Sequence, residues 1–283
     1  MEKDFKGDIA LLNEAQETAL TNIMAQLSSQ SLGIEGEESS SPKIPVLKIK
    51  QAMTSDPGCP ADCTDGDLYT TGKKLENPVK IAPVYFWRSR VMFEGGKFSK
   101  TILCSSPDAI TGTAHGSCGK RNSPDQCEFS RWGGDGTPPQ CQEVINCIAL
   151  QEDLSGLVHI RFSKTSFGAG RTLMTLCKSG GNIWSRLQFL KSKTKSSGNT
   201  DFYIFDVTTT GVETDAGLQE IARHFCVQYG EARKSFLESF SDSRTQSNVI
   251  SVEALTDSSV TTDKGVTVTN LSEDDDPDFQ DTM

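Results

Sequence analysis

Residues 79–94 read VKIAPVYFWRSRVMFE, an alternating run of β-branched and aromatic residues that predicts a long strand rather than a helix. In an extended chain successive side chains point to opposite faces. That puts Phe86, Arg88 and Arg90 on one side and Tyr85, Trp87, Val91 and Phe93 on the other. The apolar set reads as core, so the two arginines are the groups offered to a ligand.

The same texture recurs in IPVLKIK (44–50), GDLYTT (66–71), FSKTILCSS (98–106), VINCIALQ (144–151), LVHIRFSK (157–164), WSRLQFLKSK (184–193) and DFYIFDVTT (201–209). Gly, Pro and Asp punctuate these runs, as expected between short strands. They are enough to close a small β-barrel over residues 44–211. A short helix is predicted between Leu173 and Lys178, before the paired glycines of RTLMTLCKSGG. The fold class is therefore mainly β with flanking helices.

Helical spacing governs the two ends of this region. Ile9, Leu12, Ala19, Ile23 and Leu27 recur every three to four residues over 8–31, with Asp8 as a cap, and the polar run EGEESSSP then leads to the barrel. Residues 1–43 form this N-terminal helix and linker. Over 212–241, Leu218, Ile221, Phe225, Tyr229, Phe236 and Phe240 define a C-terminal helix. From 242 to 283 the chain is rich in Ser, Thr and Asp and poor in aromatics, so it is expected to be a disordered acidic tail.

The net charge of −10 conceals a division. Residues 79–200 carry +8, whereas residues 242–283 carry −8. A basic middle between acidic arms can meet a polyanion where the arms do not interfere, although solvated mixed charge would look the same. No apolar run reaches the roughly 18 residues of a membrane span, and MEKDFKGDIALL lacks the basic flank and apolar stretch of a secretory signal. A cytoplasmic protein is expected.

Nine cysteines, an odd number, argue against a complete disulfide framework. Cys104, Cys118, Cys127 and Cys141 bracket a stretch of Gly, Pro, Ser and Asn with almost no aliphatic residues from Thr111 to Gln140. A loop of that length needs a staple. Four thiolates around a tetrahedral zinc ion would supply one, while free buried thiols and disulfides are the competing readings. His115 is an alternative ligand. Cys59 and Cys63, in DPGCPADCTDG, read as a loop feature or half of a second metal site. Cys147 and Cys226 read as small core residues.

Binding single-stranded nucleic acid without sequence preference takes cations along the phosphates and flat rings beneath the bases. Besides Arg88 and Arg90, the run HIRFSKTSFGAGR offers Arg161, Lys164, Phe167 and Arg171. In WSRLQFLKSKTK, alternation turns Leu187 and Phe189 inward and Trp184, Arg186 and Gln188 outward, before a mobile run of Lys191, Lys193 and Lys195. Each residue alone suits an ordinary solvated strand; their clustering favours binding.

The order PKIPVLKIKQ, VYFWRSRVMFEGG, ILCSSPDAITGTAHGSCGK, PPQCQEVINCIALQED, HIRFSKTS, spanning about residues 42–211, resembles phage-encoded single-stranded DNA-binding proteins that insert a zinc loop into an OB-type barrel. The resemblance implies an OB-like β-barrel with a four-cysteine zinc-loop insertion at 104–141 and a structural Zn2+. Cys104, Cys118 and Cys141 match the family's ligand positions; the family often shows a tighter CxxC where this chain has CGKRNSPDQC around Cys127. It also implies protection of single-stranded DNA in phage DNA replication or recombination. The acidic end, with Asp274, Asp275, Asp276, Asp278 and Phe279, resembles the tip with which bacterial single-stranded DNA-binding proteins meet replication and recombination partners. There the phenylalanine is terminal; here QDTM follows it.

An enzyme is the rival in kind. A catalytic zinc keeps an open position beside histidine or carboxylate, yet His115, His159 and His224 are scattered and four cysteines would close the site. No catalysis is expected. The second alternative is a zinc-stabilised protein-interaction or transcription-regulating module, docked through its terminal helices.

Overall fold

Pro83 stands inside the longest strand of the molecule, where a missing N–H should break the ladder. The computed structural model describes residues 12–29, 44–52, 56–94, 101–119, 123–179, 181–198 and 200–250, and the side chains of all but 26–29 and 241–250. In it β4 (Val79–Phe93) pairs with β8 (Gln142–Gln151), and the register slips between Pro83 and Tyr85. This bulge absorbs the proline and shifts the alternation by one residue. Val84 and Tyr85 consequently face the same side, after which Phe86 and Trp87 resume on opposite sides, as the sequence predicts.

Around β4 and β8 the sheet grows to nine strands in the order β11, β10, β4, β8, β9, β1, β2, β3, with β5 (Ile102–Ser106) paired to the far end of β4. β9 is Leu157–Ser163, β10 Arg186–Ser197 and β11 Thr200–Glu213; β1 (Val46–Ile49), β2 (Leu68–Thr70) and β3 (Lys73–Lys74) complete it. All pairings are antiparallel except β1 with β9, which is parallel. The expected closed barrel is instead an open path of strands. Just past β1, the Gln51 amide donates to the Tyr203 carbonyl of β11 at 2.7 Å and accepts from the Tyr203 N–H at 2.9 Å, while Leu47 and Phe205 share one core cluster. Gly66 lies beneath the Tyr203 ring, where a Cβ would come within 2.6 Å of it.

Each face of this sheet is covered, which explains why β8 is buried from Val144 to Gln151. On one face Ile81, Ile145, Cys147, Ile160, Phe162, Leu190 and Phe205 pack with α2 (Phe167–Lys178) through Leu173 and Cys177. Gly170 lets α2 approach, since a Cβ there would lie 2.8 Å from Phe162. On the other face Ala82, Val84, Ile148, Leu150 and Leu187 meet α1 (Glu14–Ser29) and α3 (Ala216–Ile250). Burying side chains of this size contributes roughly 1.5–3 kcal/mol each.

The two outer helices begin side by side. Asn13 caps α1: its side chain accepts from the Gln16 N–H at 2.9 Å while the Gln16 side chain accepts from the Asn13 N–H at 3.1 Å, a reciprocal capping box. The cap expected at Asp8 lies outside the described residues. Asp215 caps α3 by accepting from the Leu218 N–H at 2.9 Å, and the Gln16 amide also donates to it at 2.9 Å. Compact packing divides the chain into Met1–Glu238 and Ser239–Met283. The C-terminal helix runs nine residues beyond its expected end at 241.

Candidate nucleic-acid interface

Cross-strand registers decide which side chains can share a surface. Trp87 stands opposite Asn146, which stands opposite Arg161. These three therefore belong to the face that α1 and α3 cover. Arg88 stands opposite Ile145, which stands opposite Phe162, so Arg88 emerges on the other face.

Trp87 is the centre of an aromatic cluster. Its ring lies 5.2 Å from that of His159 at 23°, 5.8 Å from that of Tyr229 at 30°, and 6.2 Å from that of Tyr85. The Arg233 guanidinium lies 4.9 Å above Trp87 and donates to the Pro107 carbonyl at 2.6 Å. The ring stacking and the bond to Pro107 together hold the guanidinium in place. Phe225, Tyr229 and Arg233 fall at i, i+4 and i+8 on α3, which is why one helix face delivers both ring and cation.

His159 is neutral at neutral pH. Burial first, and then the Arg161 charge, push it down to about 4. The Asn146 amide nitrogen donates to Ser89 at 2.9 Å, leaving its oxygen to face His159 Nε2 at 3.1 Å. That arrangement puts the imidazole proton on Nε2. Arg161 itself is exposed beside these rings.

The other predicted contact residues are dispersed. Arg88 pairs with Glu143 at 2.9 Å. Arg90 is only 9% exposed. Trp184 is half-buried against the core shared with α1 and α3, rather than standing free for stacking. Gln188, expected outward, is 2% exposed, because β10 is enclosed on both faces where it meets β4 at Ile81; Leu187 is buried and Phe189 half-buried. Arg186 is exposed. Lys191 pairs with Asp206 at 3.4 Å, and Lys193 and Lys195 lie exposed on the β10–β11 hairpin, a regular ladder rather than a mobile run. Phe167 packs on the core, while Lys164 and Arg171 are exposed around the start of α2. Asp274, Asp275, Asp276, Asp278 and Phe279 lie outside the described residues.

One exposed ring escapes the sequence reading. Trp132, in the cysteine insertion, is 59% exposed and follows Arg131, whose guanidinium is fixed by the carbonyls of Gln126 and Pro124. Its signal is the RW pair inside an otherwise Gly- and Pro-rich run. Ile110 is also exposed on this insertion, as are Ile102 and Leu103 on β5 just before it.

The four cysteines come together at its base. Cys104 on β5 packs with Met92 and Cys141. The ribbon of β6 (Thr111–Gly112) and β7 (Gly116–Ser117) folds over Cys104. Burial raises that thiol, but hydrogen bonds from the backbone of Ala114, His115 and Thr113, and from the Thr113 side chain, leave it lowered. Gly112 makes room, since a Cβ would lie 3.0 Å from the Cys104 sulfur and 3.6 Å from the Cys118 sulfur. Cys127 N–H bonds the Cys118 carbonyl at 3.1 Å and Cys141 N–H the Phe129 carbonyl at 2.8 Å. Burial pushes Cys141 up to about 12, with Cys118, Cys104 and Cys127 adding to it and Arg90 opposing. All four are free thiols. Among the described residues no group of three or more His, Cys, Asp or Glu side chains is drawn up as a metal ion's ligand shell. As a donor set the four cysteines suit a thiophilic divalent ion, which would have to pull the sulfurs inward. His115 turns its ring onto Phe129, 4.7 Å away. Cys59 and Cys63 are free thiols apart from this group, and the Cys59 thiol donates to the Pro60 carbonyl at 3.6 Å.

These features define a mainly β protein with a cysteine-bearing insertion and a helix-covered sheet. The family model of Pam3 phage gp34-like proteins matches residues 14–234, and the chain belongs to that family. The matched stretch runs from the first residue of α1 to just past Arg233. No curated protein and no solved structure matches the chain. Among the described residues no helix is long and apolar enough to cross a membrane.

Proposed function

We propose that this phage-family protein binds single-stranded DNA without sequence preference and protects it during replication or recombination in the host cytoplasm, catalysing nothing itself. The observation that carries the reading is connectivity. β4, β8 and β9 form a meander, α2 follows, and the β10–β11 hairpin returns to β4, with β1 beside β9; we read this open order as related to the Greek-key course of an OB barrel, which supports the proposal. OB barrels bind oligonucleotides on the face of their second and third strands and through the loops between strands one and two and between four and five. On this reading the matching positions are Arg161 and His159 on β9, the cysteine insertion bearing Trp132 between β4 and β8, and the turn of the lysine-bearing hairpin. Phosphates would meet Arg161 and Arg233, and a base would stack on Trp132. A structural Zn2+ held by Cys104, Cys118, Cys127 and Cys141 would fix the insertion.

The test is fluorescence anisotropy with labelled oligonucleotides across a salt series. Preference for oligo-dT over duplex, weakening steeply with salt, is expected; equal or absent binding to both overturns the proposal. Metal analysis of the purified chain should find about one zinc per chain. The exposed Ile102, Leu103 and Ile110 favour the second reading, a zinc-stabilised protein-interaction module. That module would bind neither oligonucleotide.

A further inference from the structure

Two half-buried thiols, Cys59 and Cys63, lie in the loop between β1 and β2, outside the four-cysteine group and outside the core that encloses Cys147 and Cys177. Their loop is a succession of tight turns. The Cys59 N–H bonds the Asp56 carbonyl at 3.0 Å, the Cys63 N–H the Pro60 carbonyl at 3.1 Å, and the Asp67 N–H the Thr64 carbonyl at 3.0 Å. The middle turn folds Cys63 back toward Cys59, and one oxygen joins them: the Pro60 carbonyl that accepts from the Cys63 N–H also lies 3.6 Å from the Cys59 sulfur. Burial first, and then Cys59, push the Cys63 thiol up, as expected of two sulfurs in reach of each other.

Such a pair suits either a disulfide or half of a metal site, and the neighbouring carboxylates decide between them. Asp56 accepts from Lys48 at 2.6 Å, from the Tyr69 hydroxyl at 2.9 Å and from the Gly58 N–H at 2.9 Å. Asp67 accepts from Lys74 at 2.6 Å and from the Thr64 N–H and hydroxyl at 2.7 and 2.9 Å. Both half-buried carboxylates are thus engaged by their own loop. Among the described residues no group of three or more His, Cys, Asp or Glu side chains is placed to hold a metal ion. Further bonds tie the loop to its surroundings, from the Gly72 N–H to the Gly58 carbonyl and from the Gly66 N–H to the Lys50 carbonyl, each at 2.9 Å. A loop tied at both ends keeps the two cysteines together, which gives each thiol a high effective concentration toward the other.

We propose that Cys59 and Cys63 form a reversible oxidation site, at which a low-molecular-weight disulfide such as oxidised glutathione converts the two thiols into an intrachain disulfide and a dithiol reductant restores them. One cysteine thiolate attacks a sulfur of oxidised glutathione, forming a mixed disulfide and releasing one glutathione thiolate. The other cysteine then attacks the protein sulfur of that mixed disulfide and releases the second glutathione. The cysteines lose two electrons and two protons, and oxidised glutathione gains them as two glutathione thiols. Intracellular disulfides of this kind are transient and redox-sensing rather than structural. The site depends on neither the DNA reading nor the zinc reading. Oxidation would stiffen a loop that supports the β10–β11 hairpin, since Gly66 lies beneath the Tyr203 ring and its carbonyl accepts from Asn77, whose side chain also donates to Ser192 at 2.9 Å.

The test incubates the full chain in glutathione buffers of increasing oxidised fraction, quenches with acid, unfolds the chain in an alkylating reagent and digests it with trypsin. Lys50 and Lys73 bound a peptide, residues 51–73, that contains Cys59 and Cys63 and no other cysteine. In oxidising buffer this peptide should be lighter by two hydrogens and closed to alkylation, and dithiothreitol should return it to the doubly alkylated form. Cys59→Ser should instead keep one glutathione on Cys63, the mixed disulfide that its missing partner cannot resolve. Oxidation should raise the melting temperature of the wild-type chain and not that of Cys59→Ser; an equal change in both assigns the effect to other cysteines and overturns the stiffening. Separate glutathione adducts on both cysteines of the wild type overturn the oxidation site, as do chains linked to one another through this peptide. Full alkylation in the most oxidising buffer overturns it too, and so does a second zinc per chain that Cys59→Ser loses. The peptide map is read on the wild-type chain, so poor folding of Cys59→Ser leaves the result decisive.

Discussion

Arg88 and Arg161 lie on opposite faces of the same sheet, although both sit on strands that pair with β8. A single groove cannot run through both, so the DNA reading rests on Arg161 and not on Arg88. Arg161→Ala should weaken oligo-dT binding by about 1 kcal/mol and flatten the salt dependence by about one charge. Arg88→Ala should leave both unchanged, because it removes only an exposed pair with Glu143 worth roughly 0–1 kcal/mol. Anisotropy titrations of the two variants at several salt concentrations check this.

Trp132 should carry base stacking. Its ring is largely exposed, so Trp132→Ala ought to leave the melting temperature near wild type while costing roughly 1–3 kcal/mol of oligonucleotide affinity. Trp184→Ala should do the reverse, since that ring is half-buried against the helix-covered core. Paired melts and titrations distinguish them.

The period-2 texture of residues 79–94 is enough to recover the strand and its two faces beyond Tyr85, because alternation survives wherever both faces are filled with side chains of the right size. It does not reveal what covers each face. Reading Arg90 as outward follows from assigning Tyr85 and Trp87 to the core; the structure buries both sides at that level, one under α3 and the other under the cysteine insertion. Gln188 misleads for the same reason, since a polar residue on a doubly covered strand looks like a surface residue in one dimension. Closure is equally hidden: eight strands permit a barrel, but β11 and the chain after β1 are linked through contacts such as the Gln51 amide on Tyr203, which no periodicity marks. Long-range pairs such as Arg233 on Trp87 depend on where a helix docks, which sequence spacing leaves open.

Loss of any one of the four clustered cysteines should reduce bound zinc. Cys118→Ser and Cys141→Ser are expected to lower metal content well below one per chain and to expose the insertion to protease, whereas Cys147→Ser, buried in a separate core cluster, should leave metal content unchanged. Metal analysis and limited proteolysis of the three variants decide the matter.

Removing residues 242–283 takes away a net charge of −8 from a chain whose residues 79–200 carry +8. A tethered polyanion competes for cationic sites at high effective concentration, so its deletion should tighten oligo-dT binding most at low salt. Equal affinities of the full and shortened chains at all salt concentrations would show that the tail does not compete.

His159 should make stability fall as the solution becomes acidic. Its folded pKa, about 4, lies below the ordinary 6.5, because burial and the neighbouring Arg161 disfavour the imidazolium. Between these values the unfolded chain binds the proton and the folded chain does not, so stability is fully present above about 6.5 and is lost as the pH falls toward 4. From pH 7 to pH 5 this one group should remove about 2 kcal/mol, in a window above the titration of most carboxylates. His159→Gln has no such proton to bind and keeps a donor for the Asn146 oxygen. Urea denaturation of both proteins at pH 7 and pH 5 should therefore show a smaller loss for the variant. Parallel losses would mean that imidazole protonation is tolerated beside Trp87, and that the ring stack is looser than its 5.2 Å spacing implies.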